Sequence, residues 1–208
     1  MHHLLPYLVA MLLACSTAVA AEAPVNDAPA SDAHVNKDLA TPKAAALMFV
    51  RAMEKDDMTA FRAVTVGTDE EYRLFEPLVG MVGAAKQLEK AAREKFGKQG
   101  SGIVRQSPAL GIEVHVQESD VRVNGQTATL RHRGDEPSEA LTLRQTSEGW
   151  KVDLTAIKNR QKMTDAAAAM QKMREALLLC AADIRGGKYS AADQAERAVA
   201  GRIAAAAR

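Results

Sequence analysis

Asp120-Val121-Arg122-Val123-Asn124-Gly125-Gln126-Thr127-Ala128-Thr129-Leu130 is the stretch that decides the fold class. Apolar residues recur at every second position on both sides of Asn124-Gly125, and Asn-Gly between alternating strands is the strongest short-range hairpin signal. The alternation continues downstream. A turn at 134–137 leads to Leu141 and Leu143, and a turn at 147–149 leads to Trp150, Val152 and Leu154. Upstream, Ile112, Val114 and Val116 repeat with the same period of two, which adds a strand to the expected antiparallel meander. The alternate positions carry Arg122, Thr127, Thr129, Arg131, Arg133, Thr142, Arg144, Lys151 and Asp153. One apolar and one charged face describe a sheet with helices on one side and solvent on the other.

Helical periods flank the meander. Thr41-Pro42 supplies an N-cap and a first-turn proline for a helix to about Lys55 whose inner face is Leu47, Val50 and Met53. Asp57 caps a second, short helix that includes Phe61. Thr68-Asp69-Glu70-Glu71 has the spacing of a capping box. It opens a long helix ending near Phe96-Gly97, with Tyr72, Phe75, Leu78, Val79 and Val82 on its apolar stripe and Pro77 expected to bend or divide it. Residues 98–111 read as a glycine-punctuated loop. Beyond the meander, a helix capped by Thr164 runs to Gly186-Gly187 and a last one starts at Ser190, with Leu177 and Ile184 expected against Val199 and Ile203. The fold class is therefore α+β: N-terminal helices packed on a curved antiparallel sheet, plus a C-terminal helical hairpin.

The 208 residues carry 27 Lys plus Arg against 26 Asp plus Glu, which gives no electrostatic argument for a nucleic-acid partner. Residues 1–21 hold no charged side chain, and Leu4 to Ala14 is a largely apolar run of signal-peptide length, too short to span a membrane. Ala18-Val19-Ala20 favours cleavage before Ala21, so residues 1–20 read as a signal peptide and the product as periplasmic or secreted. Leu12-Leu13-Ala14-Cys15 resembles a lipobox instead; lipidation of Cys15 would anchor the protein in the cell envelope, the one route to membrane association without a transmembrane segment. Both alternatives imply export. With Cys15 removed only Cys180 remains, so no intramolecular disulfide forms, and its apolar helical neighbours make it a buried small hydrophobe. Residues 21–40, rich in Ala, Pro, Asp and Asn, read as a disordered linker.

The element order, the Thr41-Pro42 opening with its Lys55-Asp56-Asp57 exit, the valine hairpin at 120–128 and the closing Gly149-Trp150-Lys151-Val152-Asp153 strand together resemble the nuclear transport factor 2-like superfamily over residues 41–156. Residues 157–208 form a helical extension to that domain. The resemblance is closest to small exported bacterial members of unknown function. It implies a cone whose mouth can hold a small molecule, in a superfamily that includes isomerases, cyclases, dehydratases, binding domains and interaction modules. Fold alone selects none of these.

His132 continues the inward register of Ala128 and Leu130 and would sit near the mouth of such a cone, where a neutral imidazole acts as a general base. The same alternation puts Leu130, Leu141, Leu143 and Trp150 on the pocket wall, with Tyr72 able to add a phenol hydroxyl. A register slip of one residue would turn His132 outward to the rim. Asp153 reads as a solvated partner of a neighbouring Arg or Lys. The outer-face cluster Arg122, Arg131, Arg133, Arg144 and Lys151 reads as an ordinary solvated sheet face diluted by Glu113, Glu139 and Asp153. His34, His115 and His132 stand apart in sequence, and Glu118 with Asp120 is a turn acid pair, so no metal site is expected. No nucleophile elbow, phosphate loop or cofactor fingerprint is present in the sequence.

The favoured function is non-catalytic binding of a small apolar ligand or a protein through the cone. The alternatives are an isomerase or cyclase using His132, and a structural homodimer joined by sheet faces. After residue 156 there are ten basic and five acidic residues, but the apolar stripe of Ala, Met and Leu has no Trp or Phe to anchor a bilayer interface. Docking of these helices on the domain, or on a partner, suits those small residues better.

Overall fold

The computed structural model describes residues 37–104, 111–135, 140–156 and 160–206. The leader with Cys15, most of the linker and His34 lie outside these residues. A 3-10 turn, Lys37–Leu39, precedes the first helix, and Leu39 is buried against the backbone of Gly149. Gly149 has φ 119°, and a Cβ there would meet the Leu39 carbonyl, so this close approach requires glycine.

Helix α1 (Pro42–Glu54) begins where the sequence indicates: the Ala44 N–H donates to Thr41 Oγ1 at 3.2 Å, and Pro42 takes the first helical position. The chain turns through Asp56, in the left-handed region at φ 55°. It re-enters helix as α2 (Met58–Ala63), where Asp57 accepts the Ala60 N–H at 2.9 Å. A two-residue strand, β1 (Thr65–Val66), follows. Helix α3 (Asp69–Phe96) starts at Thr68, whose N–H and hydroxyl both donate to Glu71 Oε2 at 2.6 Å. It continues through Pro77 undivided. One lost backbone bond is outweighed there by burial of Tyr72, Phe75, Leu78, Val79 and Val82, at about 1.5–3 kcal/mol for each large side chain. The expected loop at 98–111 is partly helical: a 3-10 turn, Gly97–Gly100, leads into the four-residue α4 (Ser101–Val104).

Ile112 to Glu118 is not a strand. It forms helix α5 (Ile112–Glu118), opened by Gly111 at φ 85°. Ile112 and Val116, one helical turn apart, pack on the core, while Val114 between them faces solvent. The same three residues satisfy a period of two and an i, i+4 pattern, and helix formation satisfies the backbone locally.

The meander follows as β2 (Asp120–Asn124), β3 (Thr127–Arg131), β4 (Leu141–Thr146) and β5 (Gly149–Asp153), all antiparallel, with the Asn124-Gly125 turn as expected. The sheet is mixed, because β1 pairs parallel to β5, Thr65 opposite Val152, giving the order β1-β5-β4-β3-β2. Ala128, Leu130, Leu143 and Val152 share the inner face, on which α1 lies across β3 and β5.

After the 3-10 turn Leu154–Ala156 come α6 (Arg160–Arg185) and α7 (Ala192–Ala206), starting four residues before Thr164 and two after Ser190. Helix α6 lies along α3 as the most extensive pairing among the described residues, and α7 packs on α6 and α4. Met163, Met170, Leu177, Cys180, Ala181 and Ile184 of α6 join one continuous buried cluster with α1, α3 and the sheet. Among the described residues no helix is long and apolar enough to cross a membrane.

Candidate functional site

Leu130, Leu143 and Trp150 are buried in the core cluster and Leu141 packs at its margin, so the inner sheet face is filled by side chains of the sheet itself together with α1. Tyr72 sits at the β1 edge. Its hydroxyl is 3.4 Å from Thr65 Oγ1 and donates to the Thr65 carbonyl at the same distance. The ring stands edge-on to Phe61 at 6.5 Å, with the Arg62 guanidinium 4.1 Å over its face. Phe49 and Phe75 complete this aromatic group around Phe61 at 5.2 and 5.8 Å.

His132 directly follows β3, so β5 and β4 lie between it and the Tyr72 edge, a lateral distance of three strand spacings or about 14 Å. The structure does not bring these two residues together. His132 meets residues of α5 instead: its ring centroid is 4.3 Å from that of His115, and its Nε2 is 3.4 Å from a Glu118 carboxylate oxygen. The His132 N–H donates to Asp135 at 3.1 Å, which holds the turn. His132 keeps 23% of its side-chain surface exposed, a rim position and not a place inside an apolar wall. The His115 Nδ1 lies 3.0 Å from the Gly111 carbonyl; a carbonyl only accepts, so this contact is a hydrogen bond in the tautomer protonated at Nδ1. Chemically this is a paired imidazole face beside one carboxylate. Among the described residues no group of three or more His, Cys, Asp or Glu side chains could hold a metal ion.

A strand over 112–116 would not imply the pairing of His115 with His132, which the helix brings about. The signal for it was present in Gly111, a left-handed helix opener, and in Ser119, four residues after His115, whose hydroxyl donates to the His115 carbonyl at 2.6 Å.

On the outer face, Arg144 donates to Asp153 at 2.5 Å and Lys151 pairs with Glu148. Asp153 is therefore partnered as expected but buried instead of solvated, and it also accepts the Thr155 hydroxyl at 2.6 Å and the Thr155 N–H at 3.0 Å. These bonds tie the end of β5 to the turn that follows. Cys180 is buried, as expected of a small core residue. Burial pushes its thiol up, and the Arg202 guanidinium of α7, 3.9 Å from Sγ, opposes that only in part. Arg202 is itself held by Asp183 at 2.6 Å, and Asp183 also pairs with Lys188 at 3.0 Å and accepts the Tyr189 hydroxyl at 3.2 Å. This group fastens α7 to the end of α6.

Compared with known proteins, the chain matches no family model, no curated protein and no solved structure.

Proposed function

We propose that this chain is an exported, non-catalytic binding domain that engages a protein with its sheet, in preference to a small molecule held within it. The observation that carries this reading is the filling of the inner face: Leu130, Leu143 and Trp150, the side chains proposed to line a pocket, are themselves core. The separation of His132 from Tyr72 also favours binding over an isomerase or cyclase, which needs its acid and base convergent on one point. Of the four exposed large apolar side chains among the described residues, Val114, Val121 and Val123 lie on α5 and β2, and the fourth, Leu179, lies apart on α6. A nuclear transport factor 2-like cone is part of the proposal, supported by helices preceding the meander and by α1 lying on the apolar face. So is a docked helical hairpin of α6 and α7.

The enzyme alternative keeps one favouring contact, the 3.4 Å approach of Glu118 to His132, a carboxylate placed to orient the imidazole. Export rests on the apolar run Leu4 to Ala14 and the Ala18-Val19-Ala20 cleavage signal, and labelled palmitate retained by the wild type but lost from Cys15→Ala would distinguish a lipid anchor from a released protein.

The test of the binding reading is a photo-crosslinking side chain at Val123 in the native host, combined with native mass spectrometry of the purified protein. Protein adducts at Val123 and a bare mass are expected. A retained small apolar molecule, with no adduct at Val123, would overturn it.

A further inference from the structure

The sheet ends in two unequal edges. One is β1, two residues long. The other is β2, five residues with every side chain exposed, carrying Val121 at 36% and Val123 at 57% exposure on the inner-face side. It contains neither proline nor lysine, and its two charged side chains, Asp120 and Arg122, are of opposite sign and so complementary to a second copy of themselves. Among the described residues Asp120 and Arg122 have no side-chain hydrogen bond or ion pair.

We propose that β2 pairs antiparallel with β2 of a second copy of this chain, in the register that sets Val121 opposite the partner's Val121. This rests on the reading that the sheet binds a protein, and it names that protein.

The register follows from charge. In an antiparallel pair whose two sheets keep their apolar faces on the same side, opposed positions share a face, so the two-fold axis falls on Val121, Arg122 or Val123. An axis on Arg122 sets two guanidiniums directly opposite each other, which is destabilising. An axis on Val123 pairs Arg122 with the partner's Asn124 and leaves Asp120 beyond the ladder. An axis on Val121 pairs each Asp120 with the partner's Arg122. Asp120 already faces Arg131 across β2–β3, so it then stands between two guanidiniums. On the other face, Val121 extends the row that begins with Leu141 and Leu130 and continues it into the partner's sheet. Ser119, extended at φ −66° and ψ 141°, is placed to lengthen the ladder opposite the partner's Val123.

The test is sedimentation velocity on the purified full chain over a concentration series, together with disulfide trapping. A concentration-dependent dimer is expected. Val121→Lys and Arg122→Glu should each weaken it at least tenfold with an unchanged melting curve, and Asp120→Lys combined with Arg122→Glu should recover most of the loss. Directly opposed Cβ atoms about 4.5–5.5 Å apart can be bridged, so Val121→Cys should give a covalent dimer on oxidation while Arg122→Cys should not. A monomer at every concentration, or trapping at Arg122→Cys in place of Val121→Cys, would overturn the proposal. A monomeric chain whose Val123 crosslinker still captures a different protein would refute the second copy and leave the binding reading standing; absence of any adduct would remove both.

Discussion

Arg174 of α6 reaches across α3 to meet Asp56, in the turn between α1 and α2, at 2.9 Å. Two glycines make the crossing possible. A Cβ on Gly80 would meet Arg174 Nε at 2.9 Å, and one on Gly83 would meet Asp56 Cβ at 2.6 Å and the Asp56 backbone nitrogen at 3.1 Å. Three segments distant in the chain thus touch at one notch in α3.

The two glycines should respond differently to alanine. At Gly83 the obstacle includes backbone, so Gly83→Ala is expected to cost about 1–3 kcal/mol of overpacking, less about 1 kcal/mol gained in helix propensity. At about 2–4 °C per kcal/mol its melting temperature should fall by a few degrees. At Gly80 the obstacle is a long side chain that can swing aside, and Gly80→Ala should be close to neutral. Equal losses by calorimetry would show that the notch is not the constraint.

Glu71 provides a pH signature. Burial pushes its carboxyl up, but the Thr68 hydroxyl and N–H and the Arg160 guanidinium outweigh it and hold the group below its ordinary range. A depressed folded pKa contributes stability that is present above the unfolded value, about 4.3, and is lost as pH falls through the folded one. The gap in melting temperature between wild type and Glu71→Gln should therefore be constant near neutrality and shrink below about pH 4.3. A gap that persisted unchanged into acid would mean that Glu71 acts by shape alone.

Truncation after Ala156 removes Leu177 and Ile184, both fully buried, with the rest of the α6 stripe that covers α3. Loss of a cooperative melting transition is expected, since Leu177→Ala by itself should cost about 2–5 kcal/mol. A truncated chain that melts as sharply as the whole one would show that α6 merely rests on a self-sufficient domain.

Cys180 should report global opening. With its thiol buried and pushed up by burial, reaction with an aromatic disulfide reagent should be slow and should accelerate in step with unfolding in denaturant. Rapid labelling of the native protein would place Cys180 at a mobile surface.

Most local signals in the sequence translated directly into structure. Thr41-Pro42, Asp57 and Thr68 with Glu71 each start a helix because caps are short-range chemistry, and the Asn124-Gly125 hairpin forms for the same reason. The elements that the sequence does not signal depend on distant partners. Thr65–Val66 is too short to signal a strand and exists only because β5, far along the chain, accepts it. Ile112–Glu118 offered an alternation of three residues that two periodicities explain equally well. The surroundings of His132 depend on the same segment, since the imidazole of His115 lies beside it only when that segment is helical.

The pairing of α3 with α6 also sets the order of events in biosynthesis. A chain emerging from its N-terminus exposes the apolar stripe of α3 long before Met163 to Ile184 arrive to cover it, and β1 waits equally for β5. Closing such distant contacts is slow, and the incomplete chain is open to chaperones and proteases throughout. The apolar stripe of α3 therefore has no lasting cover until α6 is released, and completion of α6 is the step that closes the core.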